Sequence, residues 1–178
     1  MSYSLIPYAI ELKHLRASVG SKKKALVEAV IKGHPKRFKE EASSGEVSLR
    51  DALTHLVMGE SQDDDSGHVY GYALEELCRH LGTELKVDLW CGVRWEAMEI
   101  LLLEKLLKES GSPVELPFIP DFPAIGHIAA SDVARTLKEV QERKAGTTDT
   151  DLRDLLSEFQ GWLKMARTGG KDLVLFSY

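Results

Sequence analysis

Between Asp63 and His80 the chain reads DDDSGHVYGYALEELCRH. Carboxylates, imidazoles, phenols and a thiol stand close together there, so the stretch is the first place to look for chemistry. Three consecutive carboxylates suggest a divalent cation. An EF-hand loop, however, needs a glycine at its sixth position and a glutamate at its twelfth. Counted from Asp63, Gly67 falls fifth and Leu74 twelfth, so the loop fails at both. Acidic residues just ahead of a helix are favoured by the helix dipole in any case. Asp63, Asp64 and Asp65 are therefore expected on an exposed loop, as a contact surface for a basic protein partner.

His68, Tyr70 and Tyr72 follow at the expected start of a helix, where free backbone donors can meet a ligand. Two residues apart, Tyr70 and Tyr72 point in different directions on a helix, so at most one joins His68 in a pocket. Asp121 and His127 flank a proline-stiffened turn, DFPAIGH, and are the other candidate ligand-binding pair. Cys78 and His80 also diverge on a helix, and with Cys91 they lack the paired spacing and fourth ligand of a structural zinc site. No metal site, cofactor or catalytic nucleophile is expected: the chain has no GxSxG, no HExxH and no phosphate loop. Cys78 lies on an apolar stripe, which predicts an inert buried thiol.

The elements that must position these residues can be read from periodicity and punctuation. SYSLIPYAI predicts a strand. Helices are expected over ELKHLRASV and over Lys22 to Ile31, with Ser21 as a cap. Another follows Ser48, with Asp51 three residues on and an apolar stripe of Leu49, Leu53, Leu56 and Val57. Helical signal resumes at Val69 or Tyr70, with Ala73, Leu74, Leu77, Cys78 and Leu81 on one face. Leu85 to Trp90 predicts a strand, and Trp95 to Leu107 a helix apolar on most of its circumference. Prolines at 113, 117, 120 and 123 exclude helix and central strand, leaving an extended connector. Ile125 to Ile128 predicts a short strand, Ser131 the cap of a helix to about Arg143, and Thr150 the opening of a longer helix. Asp172 to Tyr178, apolar nearly throughout, predicts a strand inside the sheet. The expected fold is α/β, with α+β as the alternative: one layered domain over residues 1–178, about six helices around a small mixed sheet.

Composition fits that picture. The 178 residues are 43% apolar and 29% charged, as in ordinary globular chains. The N-terminus has no basic flank before an apolar run, and no apolar run is long enough to span a bilayer, so a cytoplasmic location is expected, with reduced thiols. Net charge is −5, yet residues 1–50 carry ten Lys/Arg against five Asp/Glu. A basic first third can attract phosphate, although residues 13–39 lack the aromatic interleaving of single-strand binders. Solvated lysine faces explain them better, and nucleic acid is not the expected partner.

Several phrases carry a resemblance: LVMGE (56–60), GHVYGYALEELCRHLG (67–82), LPFIPDFPAIGHIAASDV (116–133), the opening SYSLIPYAIEL and the ending GWLKMAR…LVLFSY. Together they resemble an uncharacterised bacterial family known as a domain of unknown function, over nearly the whole chain. The C-terminal third is also similar to YfbM-like proteins in its order of two helices and a closing apolar strand, which implies a layered α/β fold. Neither resemblance brings an activity or site residues. The expected function is a protein- or ligand-binding domain with an immunity-like role. The alternatives are a small-molecule enzyme using His68, Tyr70, Asp121 and His127 in one cleft, and weak nucleic-acid binding through the basic first third.

Overall fold

The structure is a computed structural model that describes residues 2–39, 47–87, 93–94 and 110–178. The expected helix at Trp95 to Leu107, Cys91, and the end of the expected strand at Leu85 to Trp90 lie outside the described residues. Two layers of helix flank an antiparallel sheet. In chain order the elements are β1 (Ser2–Tyr3), β2 (Leu5–Ile10), α1 (Leu12–Ser18), α2 (Lys24–Gly33), α3 (Leu49–Met58), a 3-10 turn (Asp64–Ser66), α4 (Gly67–Leu81), β3 (Thr83–Glu84), β4 (Val93–Arg94), β5 (Ala124–Ile128), α5 (Ala130–Gly146), α6 (Thr150–Gly169) and β6 (Asp172–Ser177).

The main sheet has the order β3-β2-β6-β5, and β1 pairs separately with β4. The C-terminal strand is inside the sheet, as its apolar sequence predicts. The sheet is not mixed, however: every described pairing is antiparallel. The connection between β5 and β6 shows why. A single crossover helix would return the chain to a parallel strand. Here α5 and α6 both intervene, so the chain makes two passes and enters β6 running opposite to β5.

Because side chains alternate across a strand, β6 faces both layers. Leu173 and Leu175 pack with Phe159, Trp162 and Leu163 of α6. Val174 and Phe176 pack with Tyr8, Leu74 and Leu77 on the side of α1–α4. A strand buried on both faces cannot show the apolar/polar alternation of a half-exposed one.

The helix ends show which local signals hold. Ser48 caps α3, accepting from the Asp51 amide at 3.1 Å and donating to the Asp51 carboxylate at 2.6 Å. Gly170 (φ +60°) closes α6 in the left-handed conformation that glycine adopts without a Cβ penalty. Ser21 and Ser131 do not cap. The residue before α2 is Lys23, and buried Ser21 Oγ has no partner among the described residues. Helix α5 starts at Ala130, whose amide donates to Asp172 Oδ1 at 2.7 Å, while Asp172 Oδ2 takes the Leu12 amide of α1 at 2.6 Å. One carboxylate at the start of β6 therefore satisfies the openings of two helices that are distant in sequence. Pro35 to Phe38, just after α2, form a turn.

Helix α4 begins at Gly67, earlier than expected. A Cβ on Gly67 would lie 2.1 Å from the Phe118 carbonyl oxygen, and one on Gly71 would lie 2.8 Å from Pro123 Cγ. The two glycines, one turn apart, form a smooth strip on which the connector crosses. Among the described residues, no helix is long and apolar enough to cross a membrane.

Candidate functional site

Helix α4 brings three charged side chains to one place. Residues three and four apart share a helix face, so Glu75 and Glu76 both reach Arg79. Glu75 is 1% exposed and Glu76 is fully buried. Arg79 Nη2 donates to Glu75 Oε1 at 2.5 Å, its Nη1 donates to Glu76 Oε1, and its Nε reaches Glu84 of β3 at 3.2 Å. The guanidinium also lies over the Tyr8 ring, 5.8 Å from its centroid. From β2, the Tyr8 hydroxyl donates to Glu75 Oε1 at 2.9 Å; Tyr178, just beyond β6, donates to Glu75 Oε2. From the turn after α2, Arg37 Nε donates to Glu76 Oε1 at 3.0 Å. Among the described residues, buried Glu76 Oε2 has no hydrogen-bond partner.

These contacts set the electrostatics. Burial, and then the negative charge of Glu75, push both the Tyr8 and Tyr178 phenols well above the usual phenol value, so both remain neutral donors. Burial works against the charge on Arg79, but Glu75 and Glu76 outweigh it and hold the guanidinium firmly charged. Burial likewise opposes the charge on Arg37, and Glu76 overcomes it. Burial pushes the Cys78 thiol up, with the Glu75 charge adding to the effect, so the thiol is inert as its stripe position predicts.

The network forms one wall of an open cavity of about 700 Å³. Its other walls are Ile6, Tyr178 and the turn from Gly33 to Arg37. A mostly apolar pocket with a few polar groups converging at one end is the usual form of a small-molecule site. Among the described residues, no group of three His, Cys, Asp or Glu side chains is placed to hold a metal ion.

A family model matches residues 1–178. The chain belongs to the family described as Domain of unknown function (DUF7691). No curated protein and no solved structure matches it. In this DUF7691 chain, therefore, the geometry alone bears on the site.

The structure separates the sequence candidates. Tyr70 is fully buried; its hydroxyl pairs with His55 Nδ1 at 2.8 Å and accepts from the Asp63 amide at 3.0 Å. It anchors the acidic loop to α3 and α4. Tyr72 points elsewhere, as helical spacing requires: its ring meets His68 edge-on at 6.0 Å and stacks on Tyr178 at 5.9 Å. Tyr72 and His68 thus back the cavity wall through Tyr178. His127 sits on β5, its Nδ1 2.9 Å from the Gly111 carbonyl and its amide donating to Ser110 Oγ at 2.9 Å. Asp121 is exposed on the connector. In the acidic loop, Asp64 and Asp65 are exposed, while Asp63 takes the Asp65 amide and the Ser66 hydroxyl and so shapes the turn.

Sequence reasoning missed Glu75, Glu76, Arg79, Arg37, Tyr8 and Tyr178. Two adjacent glutamates beside an apolar stripe look like a solvated helix face. The only signal was the spacing of Glu75 and Glu76 to Arg79, which also occurs on ordinary exposed helices.

Proposed function

We propose that this chain is a ligand-binding domain whose ligand occupies the cavity between the Gly33–Arg37 turn, α4 and Tyr178. One observation carries the reading: two adjacent buried glutamates, two arginines and two tyrosines form a network directly beside that cavity. Taking such charges out of water costs several kcal/mol per ion, and a hydrophobic replacement is often as stable. Stability alone therefore does not account for the network, whereas a fixed set of donors and acceptors at a pocket suits recognition. The test is a thermal-shift screen of metabolites, with every hit mapped by backbone amide NMR. Hits should move the amides of Gly33, Lys36, Arg37 and Tyr178. Hits that move only distant surfaces, or no hits at all, would count against the cavity.

A second reading, a protein-binding surface with an immunity-like role, is favoured by one observation. Phe118 is 81% exposed, and its backbone packs on Gly67 at the end of the acidic turn. An exposed aromatic beside Asp64 and Asp65 suits a basic partner that buries the ring and pairs with the rim. The variant to use is Asp64→Lys with Asp65→Lys and Phe118→Ala, leaving Asp63 to hold the turn. Capture of a basic protein from the native host should be lost, and undiminished capture would sink this reading.

A further inference from the structure

Among the described residues, the cavity beside α4 has spare donors and no spare carboxylate. Arg79 commits all three of its nitrogens, to Glu84, Glu76 and Glu75. Glu75 is equally occupied: Tyr8 and Arg79 hold one oxygen and Tyr178 the other. Glu76 is fully buried behind the two arginines. Arg37 differs. Its side chain is 51% exposed and only its Nε is engaged, at 3.0 Å from Glu76. Among the described residues no acceptor meets its terminal nitrogens. Lys36 is exposed beside it on the same wall.

The bond to Glu76 fixes the Arg37 guanidinium by one edge and leaves the other edge facing outward. A planar fork held in that way is suited to accepting a carboxylate or phosphate with two parallel hydrogen bonds. A cationic ligand would find no free carboxylate oxygen among the described residues of the cavity wall. Next to these donors, Ile6 and the Tyr178 ring offer apolar surface, and Tyr72 stacks behind Tyr178 to hold the ring still.

Building on the cavity as the binding site, we propose that its ligand is a small organic anion, a carboxylate or phosphate monoester with a compact apolar body. Arg37 grips the anionic group, Lys36 adds its charge, and the body lies against Ile6 and Tyr178.

Amide NMR titration at constant ionic strength tests this with four probes: phenylacetate, phenyl phosphate, 2-phenylethylammonium and inorganic phosphate. At least one aromatic anion should shift the amides of Gly33, Lys36, Arg37 and Tyr178, with affinity tenfold or more above that of the ammonium. Comparing phenylacetate with phenyl phosphate tells which anionic group is preferred. Arg37→Gln should weaken the anion tenfold or more, and Lys36→Gln, at an exposed position, about threefold through lost charge. Inorganic phosphate binding as tightly as phenyl phosphate would refute the role of the apolar body. Ammonium binding that equals or exceeds the anions would overturn the anion assignment while leaving the cavity as a site. Silence from every aromatic probe would remove both. An anion affinity unchanged in Arg37→Gln and Lys36→Gln would also overturn the proposal.

Discussion

Two glycine-to-alanine substitutions should have opposite signs, and the structure says why. In a helix, alanine is favoured over glycine by about 1 kcal/mol, because glycine loses more backbone freedom on folding. Gly161 lies within α6, and a Cβ there would meet nothing within 4 Å. Gly161→Ala should therefore stabilise the protein by up to about 1 kcal/mol. Gly67 is also helical, with φ −49° and ψ −40°, so the same gain is available in principle. Its Cβ, however, would stand 2.1 Å from the Phe118 carbonyl oxygen and 2.9 Å from the Phe118 carbonyl carbon. To bring the oxygen out to 3.0 Å, below which such contacts are essentially never seen, the connector must retreat by about 0.9 Å. The obstacle is backbone, which cannot rotate away as a side chain can. Overpacking of this kind costs about 1–3 kcal/mol or more. At the upper end of that range it exceeds the propensity gain, and the net expectation for Gly67→Ala is a loss of about 2 kcal/mol. Urea denaturation followed by circular dichroism would show it as a lower midpoint at unchanged slope. A Gly67→Ala protein as stable as the parent would refute the reasoning, because the connector could not then be seated on α4 at this distance. Gly161→Ala serves as the control for helix propensity itself.

Other consequences follow from the charged network. Arg79→Met removes the shared partner of two buried glutamates and should cost about 3–5 kcal/mol, the range for a buried pair broken from one side; chemical denaturation measures it, and a loss below 1 kcal/mol would mean that the glutamates are solvated. Tyr8 and Tyr178 have raised pKa values in the folded chain. Their contribution is intact below the unfolded phenol value of about 10; above it the unfolded chain releases protons that the folded one keeps, so stability falls with rising pH by up to about 1.4 kcal/mol per unit for each phenol. Tyr8→Phe with Tyr178→Phe should flatten that alkaline loss in denaturation curves taken from pH 9 to 11, and an identical slope would contradict it. In a Cys91→Ser background, Cys78 should resist a thiol reagent in native buffer and react fully in denaturant, since burial and the Glu75 charge disfavour its thiolate; prompt native labelling would show that the α4 face opens.

Much of the fold was legible because it is written in local patterns. The helices of α3, α4 and α6 announce themselves by apolar stripes, Ser48 and Gly170 mark their ends, and the apolar run of β6 marks a strand buried on both faces. Helical spacing alone placed Cys78 in the core and separated Tyr70 from Tyr72. What the sequence left open were matters of long-range pairing. Whether the sheet was mixed or antiparallel depended on α5 and α6 packing as a pair between β5 and β6. The cap of α5 was misread as Ser131 because its true partner, Asp172, is distant in sequence. Helical signal was expected only from Val69 or Tyr70, and nothing local marked Gly67 and Gly71 as the strip on which the connector lies.

The candidate site divides in the same way. Missing motifs and the count of ligand positions alone set aside the familiar nucleophiles and the calcium loop. Only the tertiary structure turned Glu75 and Glu76 from an apparent polar face into a buried pair. Burial is not a property of either residue: it arises because Tyr8 of β2, Tyr178 beyond β6 and Arg37 after α2 converge on one turn of α4. Each of these side chains belongs to a different part of the sequence. No local pattern encodes their meeting, because the free energy that sets it comes from packing and electrostatics between elements and not from propensity within one.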